Sequence, residues 1–193
     1  MVDEKLWQQG MTIGDFVKGM DKYQEEMRIR LRDTRITPAE CQRLRTFGKP
    51  RKVVVLTEAW CPDSLMNLPL LIKMADCMPE LEIRIFIRSQ LPELSKELSL
   101  QGYEKIPLFI IMDEHLQLIG YWMERPLLAN KRIAEWIKHN PKFVEAKAQF
   151  KMNPGMDRSV LDSLIEKFVD EMWNWYDTEL QSETVKEVLA AMA

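Results

Sequence analysis

Three cysteines, at positions 41, 61 and 77, are the residues best suited to chemistry in this chain of 193 residues. Cys61 is set apart by its neighbours. It lies in Trp60-Cys61-Pro62-Asp63-Ser64, after the run Val53-Val-Val-Leu56 and before a segment with helical periodicity. A thiol at the start of a helix faces free amides and the positive end of the helix dipole, both of which favour thiolate over thiol. A lowered pKa is what makes a cysteine nucleophilic near neutral pH. Pro62 suits the first helical position, where its missing N–H is harmless. Ser64, one turn on, is placed to donate its hydroxyl to the Cys61 sulfur. Asp63 works against the thiolate unless its carboxylate points to solvent or caps helix amides.

The other two cysteines read differently. An odd number of cysteines without a secretory leader argues for reduced thiols rather than a disulfide scaffold. Cys41 and Cys77 are then inert helix residues, since a free cysteine behaves as a small hydrophobe. Cys77 lies sixteen helical residues beyond Cys61, about 24 Å along the axis, too far to resolve a bond made there. His115 and His139 are isolated and no metal-ligand spacing occurs, so neither a metal nor a cofactor is expected.

The elements that must hold Cys61 follow from periodicity and punctuation. Thr12 to Asp15 is a capping signal, and Phe16, Met20, Tyr23, Met27 and Leu31 predict a helix from about 13 to 32. Thr37-Pro38 starts a second helix that ends near Gly48. Val53–Leu56 predicts a buried strand, Pro62–Met78 a helix bent by Pro69, and 81–87 a second strand. A short helix over 91–100 precedes two strands, 108–112 and 116–122, separated by Asp113-Glu-His115 as a hairpin. A helix over 127–138, a link through Asn153-Pro-Gly155 and one long helix capped by Asp157 complete the chain. The stripe Val160, Leu161, Leu164, Ile165, Phe168, Met172 and Tyr176 on that helix predicts packing onto the core. Trp173 and Trp175 widen it enough to suit a homodimer through the terminal helices.

Three segments result: a helical extension over 1–50, an α/β domain over 51–140 and a helical extension over 141–193. The net charge of −3 gives no general reason to bind nucleic acid or an anionic surface. The basic stretch Arg28, Arg30, Arg32, Arg35, Arg43, Arg45, Lys49, Arg51 and Lys52 reads as solvated helix faces. The charged start and the absence of a long apolar run predict a cytoplasmic protein without a membrane span.

The order strand, Trp-Cys-Pro-x-Ser, helix, strand, helix, Ile-Pro and hairpin resembles the thioredoxin family over about residues 51–138. Trp60-Cys61-Pro62-Asp63-Ser64 matches its active-site motif, with Ser64 in place of the second cysteine. Lys105-Ile106-Pro107 matches the segment whose proline is cis in that family, and Gly120 sits where such proteins carry glycine. The resemblance implies a three-layer α/β/α fold with a mixed central sheet and flanking helices. It also implies a groove formed by Trp60, Pro62, Asp63, Ile106 and Pro107. The buried acid that thioredoxins carry six residues before the nucleophile is Val55 here, and Glu58 is the nearest carboxylate that could replace it. A glutaredoxin-like relation is weaker, because Gly120-Tyr121 stands where a Gly-Gly pair is usual.

Two functions follow. In the first, Cys61 with Ser64 is the catalytic pair, forming mixed disulfides with a protein or low-molecular-weight disulfide that an external thiol resolves. In the second, the chain is a non-catalytic interaction module that uses the same groove.

Overall fold

Thr37 and Glu40 illustrate how local chemistry sets the elements. The Thr37 hydroxyl accepts from the Glu40 amide while the Glu40 carboxylate accepts from the Thr37 amide, starting a helix over Pro38–Phe47. The structure is a computed structural model that describes residues 2–193. Its first helices are α1 Glu4–Gln8, α2 Ile13–Lys18, α3 Gln24–Asp33 and α4 Pro38–Phe47. The single helix expected over 13–32 is therefore two. Gly19 closes α2, and Tyr23 enters α3 at φ +56°, a left-handed conformation through which no continuous helix passes. Phe16, Met20 and Met27 are nonetheless all buried, which is why their spacing looked unbroken.

Strand β1 Arg51–Thr57 leads to α5 Pro62–Cys77, with Pro69 inside it, and β2 Leu81–Ile87 follows. Then come α6 Pro92–Leu100, β3 Leu108–Met112, β4 Leu118–Met123 and α7 Leu127–His139. The expected link beyond Pro141 is a further helix, α8 Pro141–Met152. Only Phe143 and Ala146 are buried in it, so no apolar stripe announced it. The long final helix is also two: α9 Ser159–Trp175 and α10 Gln181–Ala191, joined by one π turn over Tyr176–Leu180.

The sheet order is β2-β1-β3-β4, with β1 and β2 parallel and the other pairs antiparallel. This is the mixed α/β arrangement that the sequence predicts. Successive side chains point to opposite faces. On one face Val54, Leu56, Phe86, Leu108, Ile110 and Met112 pack with Trp7 of α1 and Leu98 of α6. On the other, Val55 pairs with Ile85 and Phe109, and the Phe109 and Trp122 rings lie 4.9 Å apart. Helix α5 packs against α3, α4 and β2, and α10 packs against α4, α5 and β4. Met11 exchanges both backbone hydrogen bonds with Ile85 at 2.9 and 3.0 Å, covering the edge of β2.

The chain divides into two compact units, Met1–Arg125 with Gln181–Ala193, and Pro126–Leu180. These group the residues differently from the three segments bounded at 50 and 140, because α1–α4 and α10 share a unit with the sheet. The second unit is held by aromatic contacts among Trp136, Phe143, Phe168 and Trp175, with ring centroids 4.8–6.2 Å apart. Arg132 also pairs with Glu179 there. Among the described residues no helix is long and apolar enough to cross a membrane.

The expectation of three reduced cysteines is overturned. Cys41 of α4 and Cys77 at the end of α5 form a disulfide, Cα to Cα 5.2 Å, which leaves Cys61 as the free thiol. The pairing arises because α4 packs across α5, a tertiary contact that spacing alone does not reveal. The basic stretch also disperses. Arg28 pairs with Glu25 and Arg32 with Asp33, while buried Arg51 donates to the Met192 carbonyl at 2.8 Å.

Candidate functional site

Cys61 is the residue immediately before α5, with extended backbone angles, and its carbonyl accepts the first helical bond from Leu65 at 3.1 Å. Its own amide donates to Glu58, 3.2 Å away, which tightens the loop from β1. Pro62 occupies the first helical position. The Ile106–Pro107 peptide is cis, and the Cys61 thiol lies 3.5 Å from the Ile106 carbonyl oxygen. The fold thus brings Cys61, Pro62, Ile106 and Pro107 together. Trp60 beside them is 56% exposed.

The electrostatics differ from the expectation. Cys61 is only 5% exposed, and burial pushes its thiol up to about 11, with the Asp63 carboxylate adding to the rise. The Ser64 hydroxyl and the amides of Ser64 and Asp63 pull the other way. Helix-start donors are therefore present, as the sequence implies, but loss of water outweighs them. At neutral pH Cys61 is therefore held as the thiol.

Ser64 is buried, and its oxygen accepts from the Thr57 hydroxyl at 2.5 Å. That bond leaves the Ser64 proton available to the Cys61 sulfur, so Thr57, Ser64 and Cys61 form a short donor chain. Asp63 neither points to solvent nor caps α5. It is buried, and Arg125 grips its carboxylate at 2.8 and 2.5 Å. Burial nevertheless raises Asp63 to about 6, against the pull of Arg125. Arg125 also meets Glu124 at 2.8 Å, and Glu124 meets Lys105 at the same distance. Asn67 donates to the carbonyls of Asp63 at 2.9 Å and Glu124 at 3.3 Å, and accepts from Thr184 of α10 at 2.9 Å. Glu58 is turned elsewhere, accepting from the Ser89 amide at 2.8 Å.

Sequence reasoning missed Thr57, Asn67, Lys105, Glu124, Arg125 and Thr184. The one available hint was Asp63 itself: a carboxylate next to a buried-looking motif needs a cation, and Arg125 follows the last strand.

A family model described as Thioredoxin matches residues 10–139. The chain belongs to the thioredoxin family. Two solved structures share the thioredoxin-like fold of this chain. One is a protein of unknown function from Pseudomonas aeruginosa, 21% identical, with a TM-score of 0.65 over 100% of this chain and 98% of that one. The other is an HIV epitope scaffold, 23% identical, with a TM-score of 0.63 over 97% of this chain and 95% of that one. At these identities the likeness is one of fold. No curated protein matches the chain. Within this thioredoxin scaffold the return of α10 is visible at Gly120. A Cβ there would meet the Ala191 backbone oxygen at 2.8 Å, so the strand admits α10 only because it has no side chain at that point.

Proposed function

We propose that this thioredoxin-family chain is an interaction module that takes an extended peptide from a partner protein along the Ile106–Pro107 segment. Cys61 lies beneath the docked strand as an unionised thiol. The observation that carries this reading is the state of Cys61: buried, raised to about 11 and without a second thiol in its motif. The Ile106 amide makes no hydrogen bond within the described chain. An extended peptide can supply its partner, since backbone pairing gives such complexes affinity and neighbouring pockets give selectivity. Trp60, exposed beside Cys61, offers a large apolar contact at the edge.

A second reading, mixed-disulfide chemistry by Cys61 alone with an external resolving thiol, is favoured by the Ser64 hydroxyl and the two helix amides at the sulfur. Exchange requires thiolate, so the two readings separate on one measurement. Iodoacetamide labelling of Cys61 in the intact protein, followed by mass spectrometry from pH 6 to 11, is expected to rise without a plateau below pH 10. A plateau near pH 8 would overturn the interaction reading in favour of the single-thiol one. A Cys61→Ala variant that keeps full affinity for a peptide partner would agree with the first.

A further inference from the structure

Phe143 and Phe168 show how α8 and α9 lie together. Their rings are 5.6 Å apart near one end of the pair, and Arg158 stands over the Phe150 ring, 5.0 Å away, at the other. The two helices therefore run antiparallel, as a hairpin turning through residues 153–158. Residues three and four apart share a helix face. Lys142, Glu145 and Ala146 lie on one such face of α8, and Val160, Leu164 and Lys167 on one of α9. Both faces line a single cleft of about 570 Å³. Clefts of roughly 300–1,000 Å³ are the size that takes a small molecule. Every residue lining this one belongs to the Pro126–Leu180 unit, and none to the Cys61 site.

The cleft is polarised along its length. Lys142 adjoins Phe143 and Lys167 adjoins Phe168, so the two lysines are level at the same end. Both are exposed, and among the described residues neither forms an ion pair. Two like charges facing across one cleft repel, and an anion between them turns that repulsion into attraction. Glu145, one turn from Lys142, leaves the cleft with two cations against one carboxylate. That balance suits a singly charged head better than a dianion. Toward the other end the walls are apolar: Ala146, half-buried Leu164, and Val160, which is 66% exposed. From Lys167 back to Val160 is seven helical residues, about 10 Å.

We propose that the α8–α9 cleft binds an anionic amphiphile, a carboxylate carrying a hydrocarbon chain of medium length. The head lies between Lys142 and Lys167, and the chain runs along Ala146 and Leu164 to Val160. Lysine stems are themselves apolar, so the walls stay hydrocarbon up to the charged head. Burial of the chain supplies most of the affinity, and the two ammonium groups fix which way the molecule lies. This site stands independently of the peptide groove proposed at Cys61.

The test titrates the full chain with octanoate, below the concentration at which it forms micelles, and follows backbone amide shifts by NMR. Saturable shifts are expected at Ala146 and Leu164, with a Kd on the order of 1 mM. Octanamide keeps the chain without the charge, and acetate keeps the charge without the chain. Each should bind at least about fivefold more weakly than octanoate. Lys142→Ala and Lys167→Ala should each weaken octanoate about three- to fivefold, and Glu145→Gln should strengthen it by a similar factor. All three side chains are exposed, and an unchanged circular dichroism spectrum confirms that each variant folds. Three results would each overturn the proposal: no saturable shifts in the cleft, octanamide bound as well as octanoate, or acetate bound as well as octanoate. The first denies the site, the second makes the lysines irrelevant, and the third reduces the cleft to a surface anion contact.

Discussion

Arg125 grips both carboxylate oxygens of Asp63, with Nε at 2.8 Å from Oδ1 and Nη2 at 2.5 Å from Oδ2, two residues from the buried Cys61 thiol. The pair explains how an acid can sit inside the Trp-Cys-Pro-Asp-Ser motif. A buried carboxylate without a cation would be strongly unfavourable. Glu124 and Lys105 extend the pair into four alternating charges, so each ion lies beside its opposite. Cys61 is left between two influences of unequal strength: helix donors that favour thiolate, and burial plus Asp63 that oppose it.

Replacing Asp63 by Asn tests that balance. The substitution removes an anion and leaves the Arg125 cation facing the site, and both changes favour thiolate. The Cys61 pKa should fall, by about one unit or more, which raises iodoacetamide labelling at pH 8 about tenfold. Labelling that stays at the wild-type rate would show that burial alone holds the thiol.

The same carboxylate gives stability a pH dependence with a definite sign. Asp63 titrates near 6 in the folded protein, above its ordinary 3.8. Between those values the folded chain binds more protons than the unfolded one, so stability falls as pH rises. The contribution is fully present below about pH 4 and lost by the time the pH passes about 6. Urea denaturation from pH 4 to 7 should show this decline in the wild type and a flatter profile in Asp63→Asn. A wild-type contribution that grows over that range would mean that Arg125 outweighs burial.

Glycine 120 supports a simpler expectation. In Gly120→Ala the new methyl meets a backbone oxygen of Ala191, which cannot rotate away. Helix α10 must shift, and overpacking of this kind costs roughly 1–3 kcal/mol. Gly14→Ala is the control. Its Cβ would find only the Thr12 hydroxyl at 3.8 Å, inside helix α2, where alanine is favoured by up to about 1 kcal/mol. Thermal unfolding should lower Tm for the first and hold or raise it for the second. A Gly120→Ala protein as stable as wild type would show that α10 is not seated on β4.

What the sequence made legible was local. The strand before Cys61, Pro62 at the helix start, Ser64 one turn on and the Ile106–Pro107 pair are each recognisable within a few residues, and together they point to the thioredoxin family. What stayed hidden depends on distance along the chain. Asp63 meets its cation 62 residues away, and Cys41 meets Cys77 across 36. Tyr23 breaks a helix by adopting a left-handed backbone that its own sequence context does not announce. Helix α10 reaches the sheet only after the excursion of Pro126–Leu180, so its apolar residues read as the tail of a longer helix. The raised pKa of the Cys61 thiol stays hidden for a related reason. Helix donors can be read from position 61, but burial is a property of everything packed around it.

Asn67 and Thr184 offer the sharpest test of how α10 supports the site. Both are fully buried, and the Thr184 hydroxyl donates to Asn67 Oδ1 at 2.9 Å. The Asn67 amide meanwhile holds the carbonyls of Asp63 and Glu124, fixing the backbone on either side of the Arg125 clamp. Thr184→Val leaves the Asn67 oxygen buried with this donor removed, a change worth about 1–3 kcal/mol. Asn67→Ala removes the side-chain donor to the Glu124 carbonyl as well, so it should cost more. Because the two residues share one network, the double variant should lose about 0.5–3 kcal/mol less than the sum of the single losses. Urea unfolding of the four proteins measures that difference. Strict additivity would mean that α10 touches the site without holding it, and the coupling expected here would make the C-terminal helix part of the scaffold that positions Asp63.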